Sequence, residues 1–136
     1  MSNSASPLGV TFGSLSVLGP RGILDVAQQA QALGYQSIWT VEATGTDAFS
    51  LLGGVSAVCP TMGLATGIVP IQIRTPALTA MHAATLQAMS PDADIYLGLG
   101  VSAPGILRQQ TVWYQHTIHR RPGFTFFGYF TAQVKG

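Results

Sequence analysis

Apolar and polar residues alternate in blocks along this chain, and the block lengths predict strands and helices in turn. Residues 8–12 form a short apolar run between Pro7 and Gly13-Ser14, which predicts a first strand. Ile23, Val26, Ala27, Ala30 and Leu33 then recur at helical spacing, with Asp25, Gln28, Gln29 and Gln31 pointing away, so a helix follows and Gly34 closes it. Residues 37–41 predict a second strand that delivers Glu42 to its C-terminal end. Asp47 or Thr46 is placed to cap a second helix, with Phe49, Leu52, Val55, Ser56 and Cys59 on one side and Pro60 as its stop. The run MGLATGIVPIQIRTP supplies a third strand over 62–68, and Thr75-Pro76 opens a third helix over 76–89. Leu78, Met81, Leu86 and Met89 cluster within one face of that helix. Ser90-Pro91-Asp92 is the turn out of it, and residues 95–99 form a fourth strand that ends in GLGVSAPG.

Strands alternating with amphipathic helices at this spacing predict βαβ units and a parallel sheet. In such folds the loops after the strands hold the chemistry. The rhythm covers residues 1–108 and stops there. Residues 109–136 carry no helical stripe, are rich in aromatics (Trp113, Tyr114, Phe124, Phe126, Phe127, Tyr129, Phe130) and include the basic cluster HRRPG. Two readings of this segment stand side by side. It is a hairpin or unstructured tail packing on an open sheet edge, or the natural continuation has been replaced, for instance through a shifted reading frame.

Composition narrows the function classes. A chain of 136 residues with 47% hydrophobic residues has the length and apolar content for one buried core. Charged residues make up only 8% and the formal net charge is +1, which argues against a nucleic-acid surface or an electrostatic membrane anchor. Gly, Gln and Pro interrupt every apolar run before it could span a membrane. The N-terminus MSNSASP lacks the basic region of a signal peptide, so the expected location is cytoplasmic. Cys59 is the single cysteine, leaving no internal disulfide and fitting a reducing compartment.

Few side chains form recognisable chemical groupings. His82 falls within the apolar face of the third helix, where a hydrogen-bonded core histidine is the expected role. His116 and His119 are three residues apart but have no third ligand nearby, so no zinc site is expected. The glycines after the fourth strand, Gly98, Gly100 and Gly105, do not have the GxGxxG spacing of a dinucleotide fold, although they permit a backbone to approach a ring or phosphate closely. Arg74 faces an anionic substrate or fixes a loop through an ion pair; the sequence leaves both open.

Three pieces read in order carry a resemblance: LATGIVPIQIRTP, AATLQAMS and LGLGVS. With the preceding ALGYQSIWTVE and DAFSLLGGVSAV, they make residues 8–108 resemble the luciferase-like monooxygenase family, and within it the coenzyme F420-dependent oxidoreductases. The resemblance implies the N-terminal half of a (β/α)8 TIM barrel, with about four parallel βα units. It implies a flavin-family oxidoreductase that uses coenzyme F420 for hydride transfer, or FMN for monooxygenation, on a small-molecule substrate. It places the cofactor at the C-terminal ends of the strands, against Glu42, Thr66, Gly67, Ile68, Val69, Gly100 and Ser102, and it implies a non-prolyl cis peptide at Gly67-Ile68. Many relatives have a histidine after the acidic residue, where this chain has Ala43, so chemistry assisted by an imidazole there is not expected. Half a barrel also exposes sheet edges, which predicts a homo-oligomer. The rival expectation is a non-catalytic half-barrel that folds only by self-association or with a partner chain.

Overall fold

The computed structural model describes residues 8–13, 15–43 and 45–106, and the backbone of residues 129–134. Its elements follow the predicted order. Strand β1 (Gly9–Thr11) leads through a short 3-10 turn (Ser16–Leu18) into helix α1 (Gly19–Ala32). Strand β2 (Ser37–Thr40), helix α2 (Ala48–Val58), strand β3 (Gly63–Pro70), helix α3 (Pro76–Met89) and strand β4 (Ile95–Gly100) come next, and β5 (Tyr129–Val134) is last. The strands lie in one sheet in sequence order, β1 at one edge and β5 at the other. The first four are parallel, as in half of a (β/α)8 barrel. β5 runs antiparallel to β4, with Gly100 opposite Tyr129 and Ile95 opposite Val134.

Local chemistry sets the ends of the helices. At the end of α1 the Gly34 amide reaches Gln31 O and the Tyr35 amide reaches Ala30 O, both at 3.0 Å, and Gly34 takes φ 87°. That is the crossed pair of bonds of a glycine-terminated helix, and glycine enters the left-handed region without a side-chain clash. Asp47 caps α2 by accepting the Ser50 amide at 2.6 Å. Thr75 caps α3 by accepting the Leu78 amide at 3.2 Å, and Pro76 occupies the first turn, where a missing N–H costs no hydrogen bond.

The core lies between the sheet and the helices. Ile38, Thr40, Leu64, Thr66 and Ile95 are buried on the helix side, packed with Ile23, Ala27, Phe49, Leu52 and Val55. Cys59 is buried and free among them, and burial pushes its thiol pKa up. The opposite face of the sheet presents Gly9, Ser37, Trp39, Ala65, Gly67 and Tyr96 by strand alternation and register. Trp39 and Tyr96 stack there with ring centroids 5.8 Å apart.

The apolar faces of two helices differ from expectation. In α3 the buried residues are Thr79, Ala83 and Leu86, whereas Leu78, Met81 and Met89 are 41%, 65% and 49% exposed. α3 packs on α2 along one flank and on β4 beneath. The large side chains thus lie on the part of α3 that these two neighbours leave exposed. Leu33, the residue that caps the C-terminus of α1, is likewise exposed.

Candidate functional site

The expected site residues gather at the C-terminal ends of β2, β3 and β4, and a bulge in β3 shapes their surface. Thr66 pairs with Leu97 and Val69 with Leu99, so β3 advances three residues where β4 advances two. The extra residue falls at Gly67-Ile68, whose peptide bond is cis. It also returns Val69 to the helix side, where it is buried. Every residue of β3 is buried except Gly67, which is exposed, and Ile68, which is half-buried.

A bulge breaks the ladder of backbone hydrogen bonds, and Thr66 repairs it. Its Oγ1 accepts the Gly98 amide at 2.9 Å and donates to the Gly98 carbonyl at 2.9 Å. Gly98 has to be glycine for this approach, since a Cβ there would lie 2.0 Å from the Thr66 carbonyl oxygen. The Thr66 hydroxyl thus serves the β3–β4 seam, and Val69 serves the core. Gly67, Ile68 and Ser102 are the accessible members of the expected set on β3 and the loop after β4. Gly100 is buried, and its carbonyl accepts the Ile71 amide at 3.0 Å.

Glu42 and Arg74 come together. Arg74 Nε donates to Glu42 Oε2 at 2.8 Å and Nη2 donates to Oε1 at 2.5 Å, a two-pronged grip between side chains only about 10% exposed. Arg74 Nη2 also donates to Asp47 Oδ2. The guanidinium lies 4.9 Å from the Phe49 ring centroid, and Nη1 is 3.5 Å from His82 Nδ1. His82 in turn stacks on Phe49 at 4.5 Å, so it is a hydrogen-bonded, half-buried histidine between α2 and α3. Of the two roles left open for Arg74, the structure displays the ion pair that fixes loops.

The electrostatics follow from these contacts. Hydrogen bonding to Glu42 raises the Arg74 pKa above its already high ordinary value; burial opposes this, and the Glu42 and Asp47 charges add to it. For Asp47 burial favours the neutral acid, but the hydrogen bonds from Ser50 and the contact with Arg74 outweigh it and hold the pKa down to about 2. Asp47 and Arg74 therefore both stay ionised across the physiological range.

Asp47, Phe49 and Trp39 were not singled out as site residues from the sequence. Asp47 was legible as a helix cap, and its second role depends on Arg74 arriving from another loop. Trp39 underlies the site: a Cβ on Gly67 would sit 3.1 Å from its ring. Ala43 lines a cavity of about 160 Å³ with Phe12, Thr40, Val41 and Thr46, at the C-terminal ends of β1 and β2. Among the described residues no three His, Cys, Asp or Glu side chains form a group able to hold a metal ion, and no helix is long and apolar enough to cross a membrane. His116 and His119 lie outside the described residues.

Half of a parallel (β/α)8 barrel defines the structural class, and the comparisons with known proteins define the family. The model of the luciferase-like monooxygenase family matches residues 6–108, and the chain belongs to that family. It is also 32% identical over 107 residues to a Mycobacterium tuberculosis protein whose name places it among the coenzyme F420-dependent oxidoreductases. That alignment covers 79% of this chain and 30% of the relative, so the chain spans about a third of its length. These relationships place the chain in an oxidoreductase and monooxygenase family whose members bind flavin-like cofactors and small-molecule substrates.

Proposed function

We propose that this chain supplies the β1–β4 wall of a site for coenzyme F420 and serves hydride transfer between the deazaflavin and a small-molecule substrate. FMN with monooxygenation is the close variant. The observation that carries the reading is the opening in β3, where Gly67 is exposed and Ile68 half-buried in a strand otherwise buried throughout. Glycine has no side chain of its own, so a planar ring can come close to the backbone here, beside Trp39. Gly100 and Ser102 border the same end, and the Ser102 hydroxyl would serve as a donor to a polar edge of the ring. When bound, the deazaflavin supplies two-electron hydride chemistry. The residues of this chain orient it and keep the ring face apposed to backbone instead of water.

Glu42 has a defined part in this reading. Its carboxylate oxygens each accept from Arg74 and retain a second lone pair, so a donor on the cofactor or substrate can still be received there. Ala43 leaves the neighbouring position without an imidazole, which suits hydride transfer that needs no positioned histidine.

A second reading has its own support. Leu78, Met81 and Met89 are exposed along the free flank of α3, and Ile71 is 53% exposed beside it. Such a surface favours a non-catalytic half-barrel held together by self-association or by a partner chain. Titrating the purified protein with F420 and with FMN, while measuring its mass in solution, separates the two. Saturable binding of either cofactor supports the oxidoreductase reading. An oligomer that binds neither supports the second.

A further inference from the structure

The Arg74 knot lies at the rim of the proposed ring surface, and Glu42 connects the two. The Glu42 amide donates to the Ile68 carbonyl at 3.1 Å, while its carboxylate takes both prongs of Arg74. One residue at the end of β2 therefore holds the segment from Ile68 to Arg74 at both of its ends. The middle of that segment is held from the other side by the bond from the Ile71 amide to the Gly100 carbonyl.

Arg74 is itself fixed on every side. Each guanidinium nitrogen has a partner among Glu42, Asp47 and His82, and Phe49 covers one face. The groups come from the loop after β2, from α2 and from α3, so Arg74 fastens two loops and two helices together. A guanidinium committed in this way has little left to offer an anionic ligand, yet any change in it reaches Ile68 through one residue.

We propose that Arg74 is a positioning residue. Acting through Glu42, it sets where the Gly67-Ile68 backbone lies and so how the cofactor ring is received. The ring half of this inference rests on the cofactor reading above; the backbone half does not. Arg74 has a directional role because its two-pronged geometry fixes the Glu42 carboxylate in orientation as well as in charge. Lysine would keep the charge and lose the second prong.

The test is amide hydrogen exchange and F420 affinity measured on the wild type and on the Arg74→Lys and Arg74→Gln variants. In Arg74→Gln, exchange at the Glu42 amide is expected to speed up at least about tenfold, while core amides such as Val55 and Leu64 keep their protection. F420 affinity falls by about tenfold in parallel. Arg74→Lys falls between the wild type and Arg74→Gln in both readouts. Unchanged Glu42 exchange in Arg74→Gln overturns the proposal, including the case where affinity falls, since Arg74 would then touch the ligand directly. Faster exchange with unchanged affinity overturns it as well. If the wild type binds neither F420 nor FMN, the cofactor reading fails and the ring half fails with it; the exchange data then judge the backbone half alone. Should Arg74→Gln fail to fold, Arg74→Lys is judged by the same criteria.

Discussion

Glu42 and Arg74 lie 32 residues apart in the chain and meet at the strand ends through two parallel hydrogen bonds of 2.8 and 2.5 Å. Each ends up close to 10% exposed, so neither charge is left to bulk water. Removing Arg74 takes both prongs from the Glu42 carboxylate, and removing Glu42 leaves Arg74 with the more exposed Asp47 as its carboxylate partner, so either change costs more than losing a surface pair would. Glu42→Gln is expected to destabilise the fold by about 3 kcal/mol in urea denaturation. Adding Arg74→Met to it should cost less than the two single changes summed, with a coupling of at least about 1 kcal/mol. Additive effects would show that the pair is not a unit.

Asp47 links stability to pH. Its pKa in the fold is about 2, against an ordinary value of 3.8, so the folded protein binds its proton more weakly than the unfolded chain does. The stabilisation is fully present above about pH 5 and is lost as pH falls from about 4 toward 2. Asp47 is 42% exposed, which limits its worth to roughly 0.5 kcal/mol. Asp47→Asn keeps the capping oxygen and loses the charge. The stability gap between wild type and variant should be constant from pH 7 to 5 and narrow below 4. A gap that widens on acidification would contradict the assignment.

Thr66 tests the repair of the bulge. Thr66→Val preserves shape but leaves the Gly98 amide and carbonyl without the hydroxyl, at a cost of about 2–3 kcal/mol. Thr66→Ser keeps both bonds and should lose well under half of that in thermal unfolding. Equal losses would mean that the methyl group, and not the hydroxyl, is what matters.

Two glycines should respond in opposite directions. Gly98→Ala pushes a methyl group to 2.0 Å from a backbone oxygen, which the seam can relieve only by separating, at about 3 kcal/mol or more. Gly53, inside α2, has nothing within 4 Å of the added carbon. Gly53→Ala is expected to stabilise the protein by about 0.5–1 kcal/mol through helix propensity. Chemical denaturation of the two variants side by side checks both signs.

Features that depend on neighbouring residues were readable from the sequence. Gly34 as the end of α1, Asp47 or Thr46 as the cap of α2, which the structure resolves to Asp47, and Thr75-Pro76 as the start of α3 each rest on contacts within a few residues. The alternation of strand and helix needs only hydrophobic period, and it led to the parallel sheet; the half-barrel came from the family resemblance. What was not legible depends on contacts distant in sequence. Nothing in the local pattern says that Arg74 meets Glu42, or that the Thr66 hydroxyl turns to Gly98 on the next strand. The bulge at Gly67-Ile68 shifts the phase of β3, so Val69 faces the core beside Thr66, which plain alternation places on opposite faces. The face of α3 was misread because hydrophobicity alone cannot show which flank has a neighbour.

The proposed cofactor surface at Gly67-Ile68 lies at the end of the sheet away from Gln31, Asp92 and Asp94. Amide chemical shifts recorded by NMR during an F420 titration examine it directly. The expected result is saturable shifts at Gly67, Ile68, Gly100 and Ser102, with the amides of Gln31, Asp92 and Asp94 unmoved. Shifts confined to that opposite end, or none at saturating F420 and FMN, would contradict it.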